Sequence, residues 1–106
     1  MSSIPAVTDQ TFAAEVLQAS QPVLVDYWAD WCAPCKQLSP LLDNFAAEYG
    51  DRIKFVKLDA NSNTDVPLAH GVTNLPTVQL FNQGQVVQQL VGNVTKLSLR
   101  KLLDSI

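Results

Sequence analysis

Residues 25–36, Val-Asp-Tyr-Trp-Ala-Asp-Trp-Cys-Ala-Pro-Cys-Lys, decide how this chain folds. Their first half belongs to a run from Val23 to Ala29 that is apolar at nearly every position, which predicts a strand buried on both faces and central in a parallel sheet. Their second half places Cys32 and Cys35 at the start of a helix expected from about Pro34 to Tyr49, where apolar residues recur at helical spacing. A buried strand therefore leads directly into a helix that begins with two cysteines.

Helices and strands alternate outward from this segment. Before it, we expect an edge strand at residues 4–7 and a short helix capped by Thr8 or Asp9, with Phe12, Ala13, Val16 and Leu17 on its apolar face. After it, we expect a strand at 53–58, a short helix around 66–70, a hairpin of strands at 77–81 and 86–91, and a helix capped by Thr95 with Leu99, Leu102, Leu103 and Ile106 on its apolar face. This order predicts an α/β fold with helices on both faces of a mixed sheet.

Two residues mark the long helix itself. Pro40 lies inside it and removes one backbone hydrogen bond, so we expect a kink there. Gly50 follows the last apolar position and is expected to end the helix as a C′ glycine.

The composition limits the classes of function. The chain has 106 residues, which predicts a single domain over residues 1–106. Apolar residues make up 47% and charged residues 16%, and the net charge of −3 comes without any basic run, so no nucleic-acid footprint is expected. The sequence shows no secretory signal and no apolar stretch long enough to cross a bilayer. We therefore expect a cytoplasmic monomer that binds neither nucleic acid nor membrane.

The two cysteines are placed for redox chemistry. Free backbone N–H groups and the helix dipole favour an anion at a helix N-terminus, and the thiolate is the nucleophile in disulfide exchange. Lowering the pKa of Cys32 by one unit needs about 1.4 kcal/mol, within the 0.3–2 kcal/mol that a helix N-terminus supplies. Two intervening residues bring Cys35 within bonding reach, and Pro34 suits the first helical position. We expect Cys35 to be the more buried thiol and thus the resolving one.

Three other readings of the pair are weaker. A zinc half-site needs two further ligands, and the sequence offers only His70 and no further cysteine. A structural disulfide across so short a loop contributes only about 2 kcal/mol before strain and is unusual in a reducing compartment. Two incidental core cysteines would not explain the tryptophan, the proline and the helix start together.

The wider pattern resembles a known family. Residues 25–36 strongly resemble the active-site segment of thioredoxins, and the resemblance extends over essentially the whole chain. The other residues that carry it are Pro40, Lys57, Leu75-Pro76-Thr77, Gly84 and Gly92. It implies a five-stranded sheet in the order 1-3-2-4-5, with the first three strands parallel and four helices around it.

The resemblance also implies a reaction. Cys32 would attack a substrate disulfide, and Cys35 would resolve the mixed disulfide that forms. No cofactor would be bound, because the cysteine pair is itself the redox group. The expected partners are disulfide-containing client proteins and a flavoprotein thioredoxin reductase, which restores the dithiol with NADPH.

Two charged residues have expected roles beside the cysteines. The family places Asp26 beneath them as proton acceptor for Cys35, and its burial is expected to raise the pKa of the carboxyl. The alternative is an aspartate at a strand end bonded to backbone. Lys57, on the adjacent strand, is expected to pair with Asp26 and tune it, although an ordinary lysine at a strand edge is about as good an explanation from the sequence alone.

The resemblance assigns a docking surface as well. Its residues are Trp31, Ala33, Pro34, Asn74, Leu75, Pro76 and Gly92. A cis bond between Leu75 and Pro76 would leave the Leu75 backbone able to pair with an extended client. We expect Trp31 to be exposed and Trp28 to pack. Gly92 either lets the client approach or is a plain turn glycine.

Some residues depart from the family or receive no role. Ala33 stands where the common form has Gly, Tyr27 where it often has Phe, and Asn74 where it often has Gly or Ser. We expect Ala33 to leave activity intact with a modest change in reduction potential. His70 is read as a solvated residue at a helix end, and 59–65 as a solvated loop.

Two other functions compete with a disulfide reductase. An oxidase or isomerase on the same fold usually carries a His between the cysteines, which is absent here. A redox-independent scaffold or binding subunit is the alternative from another class, and the presence of both cysteines with Asp26 and Pro76 argues against a purely structural role.

Overall fold

One mixed sheet of five strands organises the molecule, in the order β1-β3-β2-β4-β5. The computed structural model describes residues 3–106. The strands are β1 (Ala6–Val7), β2 (Val23–Trp28), β3 (Lys54–Asp59), β4 (Thr77–Asn82) and β5 (Gln85–Val91). β1 and β2 run parallel to β3, whereas β4 runs antiparallel to both β2 and β5. The α/β class, the strand order and the parallel first three strands are confirmed, and each strand boundary lies within a few residues of the prediction.

The helices lie on both sides of this sheet. They are a five-residue π-helix (Ala13–Leu17), α1 (Ala33–Tyr49), α2 (Asp65–Ala69) and α3 (Lys96–Asp104). One core joins α1 and α3 to one face of the sheet through Leu42, Phe45, Leu99, Leu24 and Leu80. The other core joins the π-helix and α2 to the opposite face through Phe12, Val16, Val66, Val25 and Tyr27. The strand β2 contributes to both cores, because its successive side chains point to opposite faces.

The first helix differs from the prediction. Phe12 and Val16 are buried as expected, but Ala13 is exposed and the element is a short π-helix. The carboxylate of Asp9 does not cap it. Instead Asp9 accepts hydrogen bonds from the backbone N–H groups of Asp65 and Val66, so it caps α2 from a distant part of the chain.

The long helix α1 confirms the central prediction. It starts one residue earlier than expected, with Cys32 as N-cap, and continues past Pro40 to Tyr49. Gly50 follows it, but with φ −64° rather than in the left-handed region expected of a C′ glycine. A Cβ at position 50 would collide with the carbonyl oxygen of Ala46, so close approach explains this glycine.

The C-terminal third follows local rules. The hairpin turn has positive φ at both Gln83 and Gly84, as a two-residue turn between antiparallel strands requires. Thr95 caps α3, and Thr95 and Ser98 bond each other's backbone N–H groups in a capping box. Ile106 was expected on the apolar face of this helix, but α3 ends at Asp104 and Ile106 is exposed.

Among residues 3–106, no helix has both the length and the apolar character needed to cross a membrane.

Candidate functional site

The cysteines lie where a buried strand passes into a helix. Cys32 and Cys35 are joined by a disulfide, with their Cα atoms 5.3 Å apart. The backbone N–H of Cys35 donates a hydrogen bond to Sγ of Cys32 at 3.2 Å. The side chain of Cys32 therefore caps α1, and its sulfur faces the positive end of the helix dipole. This is the geometry that stabilises a thiolate once the disulfide is reduced.

Burial alone does not separate the two sulfurs. Cys35 is more buried than Cys32 only marginally, 3% against 4% exposed. The direction agrees with the expectation that Cys35 is the more buried thiol, but the difference is too small to assign their roles. What distinguishes them is their neighbours, since Cys32 is flanked in the chain by exposed Trp31 and Ala33, whereas Cys35 lines a cavity behind the disulfide.

That cavity, of about 460 Å³, brings Cys35 together with Asp26, Trp28 and Lys57. Asp26 is 6% exposed, and none of the residues 3–106 hydrogen-bonds to its Oδ1. Burial raises the pKa of Asp26 from 3.8 to about 7, and the positive charge of Lys57 partly opposes this. The carboxylate and the inner cysteine thus line one space.

Lys57 lies on the neighbouring strand, but the ion pair with Asp26 expected from the sequence is not among the ion pairs of residues 3–106. It is the register partner of Asp26 across the parallel β2–β3 pair. Its ammonium group lies 5.7 Å from the centroid of the Trp28 ring, a cation–π distance. Trp28 is half-buried and packs against the cysteines, in agreement with the packing role expected of it.

The surface around the disulfide carries two grooves. The Trp31 groove, of about 510 Å³, is lined by Trp31, Ala60, Thr64, Pro67, Leu68, Val72, Thr73, Asn74 and Leu75. The Gly92 groove, of about 110 Å³, is lined by Pro34, Gln37, Leu38, Leu41, Pro76, Gly92, Asn93 and Val94. The docking residues suggested by the resemblance therefore divide between two neighbouring depressions, apart from the exposed Ala33, which lines neither.

The individual docking residues differ in exposure. Trp31 is 70% exposed, as expected, and its indole N–H points to Oδ1 of Asn61 at 3.4 Å. Leu75 is half-buried and packs against the cysteines. The bond between Leu75 and Pro76 is cis, and Pro76 is buried.

Gly92 lines one of these grooves and Asn74 the other. Gly92 has φ +78°, which by itself explains a glycine, and a Cβ there would meet no atom within 4 Å. Its N–H donates to the carbonyl of Pro76 at 2.8 Å. The carbonyl of Asn74 accepts a hydrogen bond from the Thr77 hydroxyl at 2.6 Å, which fixes the chain just before β4.

His70 is not the solvated residue expected from the sequence. It follows α2 and packs 5.3 Å from the ring centroids of both Phe12 and Phe81. Its carbonyl accepts a hydrogen bond from the amide of Gln79. Within residues 3–106, no three His, Cys, Asp or Glu side chains come close enough together to hold a metal ion.

Sequence reasoning missed one polar cluster, on the opposite side of β2. The Tyr27 hydroxyl donates to Oε1 of Gln79 at 2.9 Å, and the Gln79 amide donates to the His70 carbonyl and to Gln89. Both Tyr27 and Gln79 are buried. The signal in the sequence was a glutamine within the apolar run of β4, at an inward position.

Comparison with known proteins agrees with this geometry. Residues 3–105 match the family model described as Thioredoxin. Thioredoxin 1 of Synechococcus elongatus is 45% identical over 104 residues, covering 98% of this chain and 97% of that protein. The thioredoxin of Pseudomonas aeruginosa is 46% identical over 99 residues (93% and 92% covered), and that of Allochromatium vinosum 46% over 103 residues (97% and 96%). The chain is therefore a thiol–disulfide oxidoreductase and belongs to the thioredoxin family.

Proposed function

We propose that this disulfide reductase works by a two-step exchange in which Cys32 attacks and Cys35 resolves. The observation that carries this order is the hydrogen bond from the Cys35 N–H to Sγ of Cys32 at the start of α1. In the reduced protein the same N–H and the helix dipole would stabilise the Cys32 thiolate.

The first step forms a mixed disulfide. The Cys32 thiolate attacks one sulfur of the client disulfide, a bond forms between them, and the second client sulfur leaves as a thiolate that takes up a proton. Trp31, Ala33, Pro34, Asn74, Leu75, Pro76 and Gly92 are proposed to receive the client. Their support is position, since all but Ala33 line the two grooves beside the disulfide and Ala33 adjoins Cys32.

The second step releases the client. The Cys35 thiol gives its proton to the Asp26 carboxylate across the cavity that both line, attacks Sγ of Cys32 and expels the remaining client sulfur. That sulfur leaves as a thiolate and takes up a proton from the solvent, and Asp26 releases to the solvent the proton that it took from Cys35, so that two electrons and, through the solvent, two protons have passed to the client. A pKa of about 7 suits Asp26 to accept a proton near neutral pH, and Lys57 tunes that pKa through its charge.

The exchange depends on a redox group, a reductant and client proteins. Thioredoxins carry no bound cofactor, and the Cys32–Cys35 pair is the redox group here. A flavoprotein reductase that uses NADPH would restore the dithiol. The clients of this chain would be disulfide-containing proteins. We place the chain in the cytoplasm, in keeping with its bacterial relatives, and we propose that it is a single-domain monomer over residues 1–106. A redox-independent scaffold is not favoured.

The roles of the two cysteines can be separated by trapping. With insulin as client and dithiothreitol as reductant, we expect wild type to accelerate reduction and Cys32→Ser to be no faster than dithiothreitol alone. Cys35→Ser that has been reduced and then freed of dithiothreitol should accumulate a mixed disulfide with insulin, visible on a non-reducing gel. Accumulation with Cys32→Ser instead would reverse the two roles, and a wild type without acceleration would support the scaffold.

The role of Asp26 has its own test. Asp26→Asn cannot accept the proton of Cys35, so we expect slower release of the client and loss of the pH dependence that Asp26 contributes between about pH 6 and 9. Single-turnover rates of mixed-disulfide resolution measure this step. An unchanged rate across that range would remove Asp26 from the mechanism.

A further inference from the structure

Few polar side chains are buried in this molecule. With tyrosine and cysteine set aside, those of residues 3–106 are Asp26, Thr77 and Gln79. Asp26 lines the cavity behind the disulfide, where the proposed mechanism uses it, but that mechanism uses neither Thr77 nor Gln79. These two residues lie two positions apart on β4, so their side chains point to the same face of the sheet. Because a buried polar group is costly unless it is hydrogen-bonded, their partners indicate what they do.

Both side chains donate to carbonyl groups of one segment. This segment, residues 70–76, lies between α2 and β4 and belongs to neither. The Gln79 amide donates to the His70 carbonyl at 3.1 Å. The Thr77 hydroxyl donates to the Asn74 carbonyl at 2.6 Å. A segment without regular secondary structure is thus attached to the sheet near its start and near its end.

The amide of Gln79 is fixed in one orientation. The His70 carbonyl can only accept a hydrogen bond, so Nε2 of Gln79 faces it. Nε2 also donates to Oε1 of Gln89 at 2.9 Å, and Oε1 of Gln79 accepts from the Tyr27 hydroxyl. Gln79 therefore connects β2 and β5 to the start of segment 70–76.

Stability alone does not require this amide. Replacing both partners of a buried hydrogen bond by apolar groups of the same shape is often nearly neutral. An apolar pair at positions 27 and 79 would therefore fill this part of the core without any polar group to satisfy. Such a pair would leave the His70 carbonyl without its bond to the sheet.

Segment 70–76 carries backbone groups that the client is proposed to meet. The N–H and carbonyl of Leu75 have no hydrogen-bond partner among the residues that the structure describes, so both are able to pair with an extended chain. Thr73 and Asn74, just before it, are exposed. Pairing is tighter when the receiving backbone is already held in place, because ordering a mobile segment costs conformational entropy.

We propose that Gln79 is a positioning residue for protein clients. By holding the His70 carbonyl, it keeps segment 70–76 in the conformation that pairs with an extended client, and this lowers the client concentration needed for half-maximal exchange. The proposal rests on the disulfide exchange proposed above. A small-molecule disulfide has no chain to pair with Leu75, so its reduction does not depend on Gln79.

The test uses two single variants and their combination. Gln79→Leu removes the hydrogen bond to His70, whereas Tyr27→Phe removes a bond of the same cluster and leaves that one in place, so Tyr27→Phe is the matched control. The double variant also lacks the bond to His70, but it has no stranded tyrosine hydroxyl and should be more stable than Gln79→Leu. Each protein is reduced, freed of dithiothreitol and mixed with excess insulin or excess bis(2-hydroxyethyl) disulfide, and the loss of protein thiol gives the rate.

With insulin, we expect Gln79→Leu to need roughly five- to tenfold more client than wild type for its half-maximal rate, with the maximal rate unchanged within about twofold. The double variant should show the same defect despite its higher stability, and Tyr27→Phe should behave as wild type. With the small disulfide, all four proteins should react at the same rate.

Hydrogen exchange gives a readout that does not depend on activity. The Val72 N–H donates to the Pro67 carbonyl at 2.9 Å, within the stretch that follows α2. We expect this N–H to exchange faster in both variants that lack Gln79 and at the wild-type rate in Tyr27→Phe, because only the first two release the His70 carbonyl from the sheet.

The contrary outcomes separate the positioning role from the proposed function. A wild type that reduces neither insulin nor the small disulfide contradicts the disulfide exchange itself. An unchanged half-saturating insulin concentration in Gln79→Leu overturns only the role of Gln79, and so do equal losses with both disulfides. A double variant that recovers the wild-type insulin concentration would show that Gln79 acts through stability alone. If Gln79→Leu does not fold, the comparison of the double variant with Tyr27→Phe decides the question.

Discussion

Two neighbouring residues of β2, Asp26 and Tyr27, place polar groups on opposite sides of the sheet. The two groups differ in whether they are hydrogen-bonded. Asp26 lies on the side of α1, with Oδ1 buried and without a hydrogen-bond partner among the described residues. Tyr27 lies on the side of α2, where its hydroxyl donates to Gln79 and the Gln79 amide donates onward to His70 and Gln89. Burial raises the pKa of both side chains, but only that of Asp26 comes into the physiological range.

This difference in hydrogen bonding indicates that the Asp26 carboxyl has a chemical role, whereas the Tyr27 hydroxyl has a structural one. A buried polar group is costly unless it is hydrogen-bonded, so the Tyr27 cluster is the arrangement expected of a stable interior. An unpaired carboxylate is the arrangement expected where a proton must be taken up and released near neutral pH. Of the two side chains, Asp26 and not Tyr27 lines the cavity that Cys35 also lines.

The largest expected effect is that of Asp26→Asn on the pH dependence of the free energy of unfolding. The folded chain keeps the Asp26 proton up to about pH 7, whereas the unfolded chain loses it near 3.8, so raising the pH through this interval favours unfolding. A shift of that size corresponds to about 4 kcal/mol of stability that is present below the lower pKa and lost above the upper one. Asp26→Asn removes this loss, and its advantage over wild type should grow from pH 4 to pH 7 and then level off.

Urea unfolding of both proteins across this interval measures the difference. Asp51→Asn, at a carboxylate with 83% side-chain exposure, is the control and should follow the wild-type curve. Parallel curves for wild type and Asp26→Asn would mean that Asp26 ionises equally in both states, and the contrast with Tyr27 would disappear.

A smaller effect is expected in the paired cluster. Gln79→Leu leaves the buried Tyr27 hydroxyl and the His70 carbonyl without their partner, which costs about 1–3 kcal/mol. Adding Tyr27→Phe removes the stranded hydroxyl but not the stranded His70 carbonyl, so the double variant should recover the part of that loss that the hydroxyl causes. Urea unfolding of the two single variants and the double variant gives the coupling energy, and strictly additive effects would mean that the hydrogen bond does not contribute.

Local interactions were predictable from the sequence. Thr95 caps a helix whose first turn follows it directly, and Cys32 and Cys35 are one turn apart, so the sequence alone brings these groups together. The hairpin turn at Gln83 and Gly84 is local in the same sense. The strand order came from the family resemblance rather than from periodicity.

Interactions between distant segments were not predictable. Thr8 or Asp9 was expected to cap the first helix. The Thr8 hydroxyl accepts a hydrogen bond from the Thr11 N–H there, whereas the Asp9 carboxylate bonds to α2, more than fifty positions along the chain. Gln79 meets Tyr27 only because β4 lies antiparallel to β2, and His70 packs between two rings only because α2 covers that face. A buried glutamine can be expected to have a hydrogen-bond partner, but identifying that partner requires the register of the sheet.

The smallest effect is expected from removing the charge of Lys57, which acts on Asp26. The positive charge of Lys57 lowers the pKa of Asp26, though less than burial raises it. Lys57→Met keeps an unbranched side chain beside Trp28 and removes the charge, so the pKa of Asp26 should rise further above about 7. The carboxyl carbon chemical shift of Asp26, followed through a pH titration, reports this pKa directly, whereas the free energy of unfolding would also register the lost contact with Trp28.

In the Asp26→Asn background, Lys57→Met should no longer move the pH profile of the resolution step. A midpoint that stays in place or falls would show that Asp26 is as isolated from charge as it is from hydrogen bonds, and the tuning role of Lys57 would have to be given up.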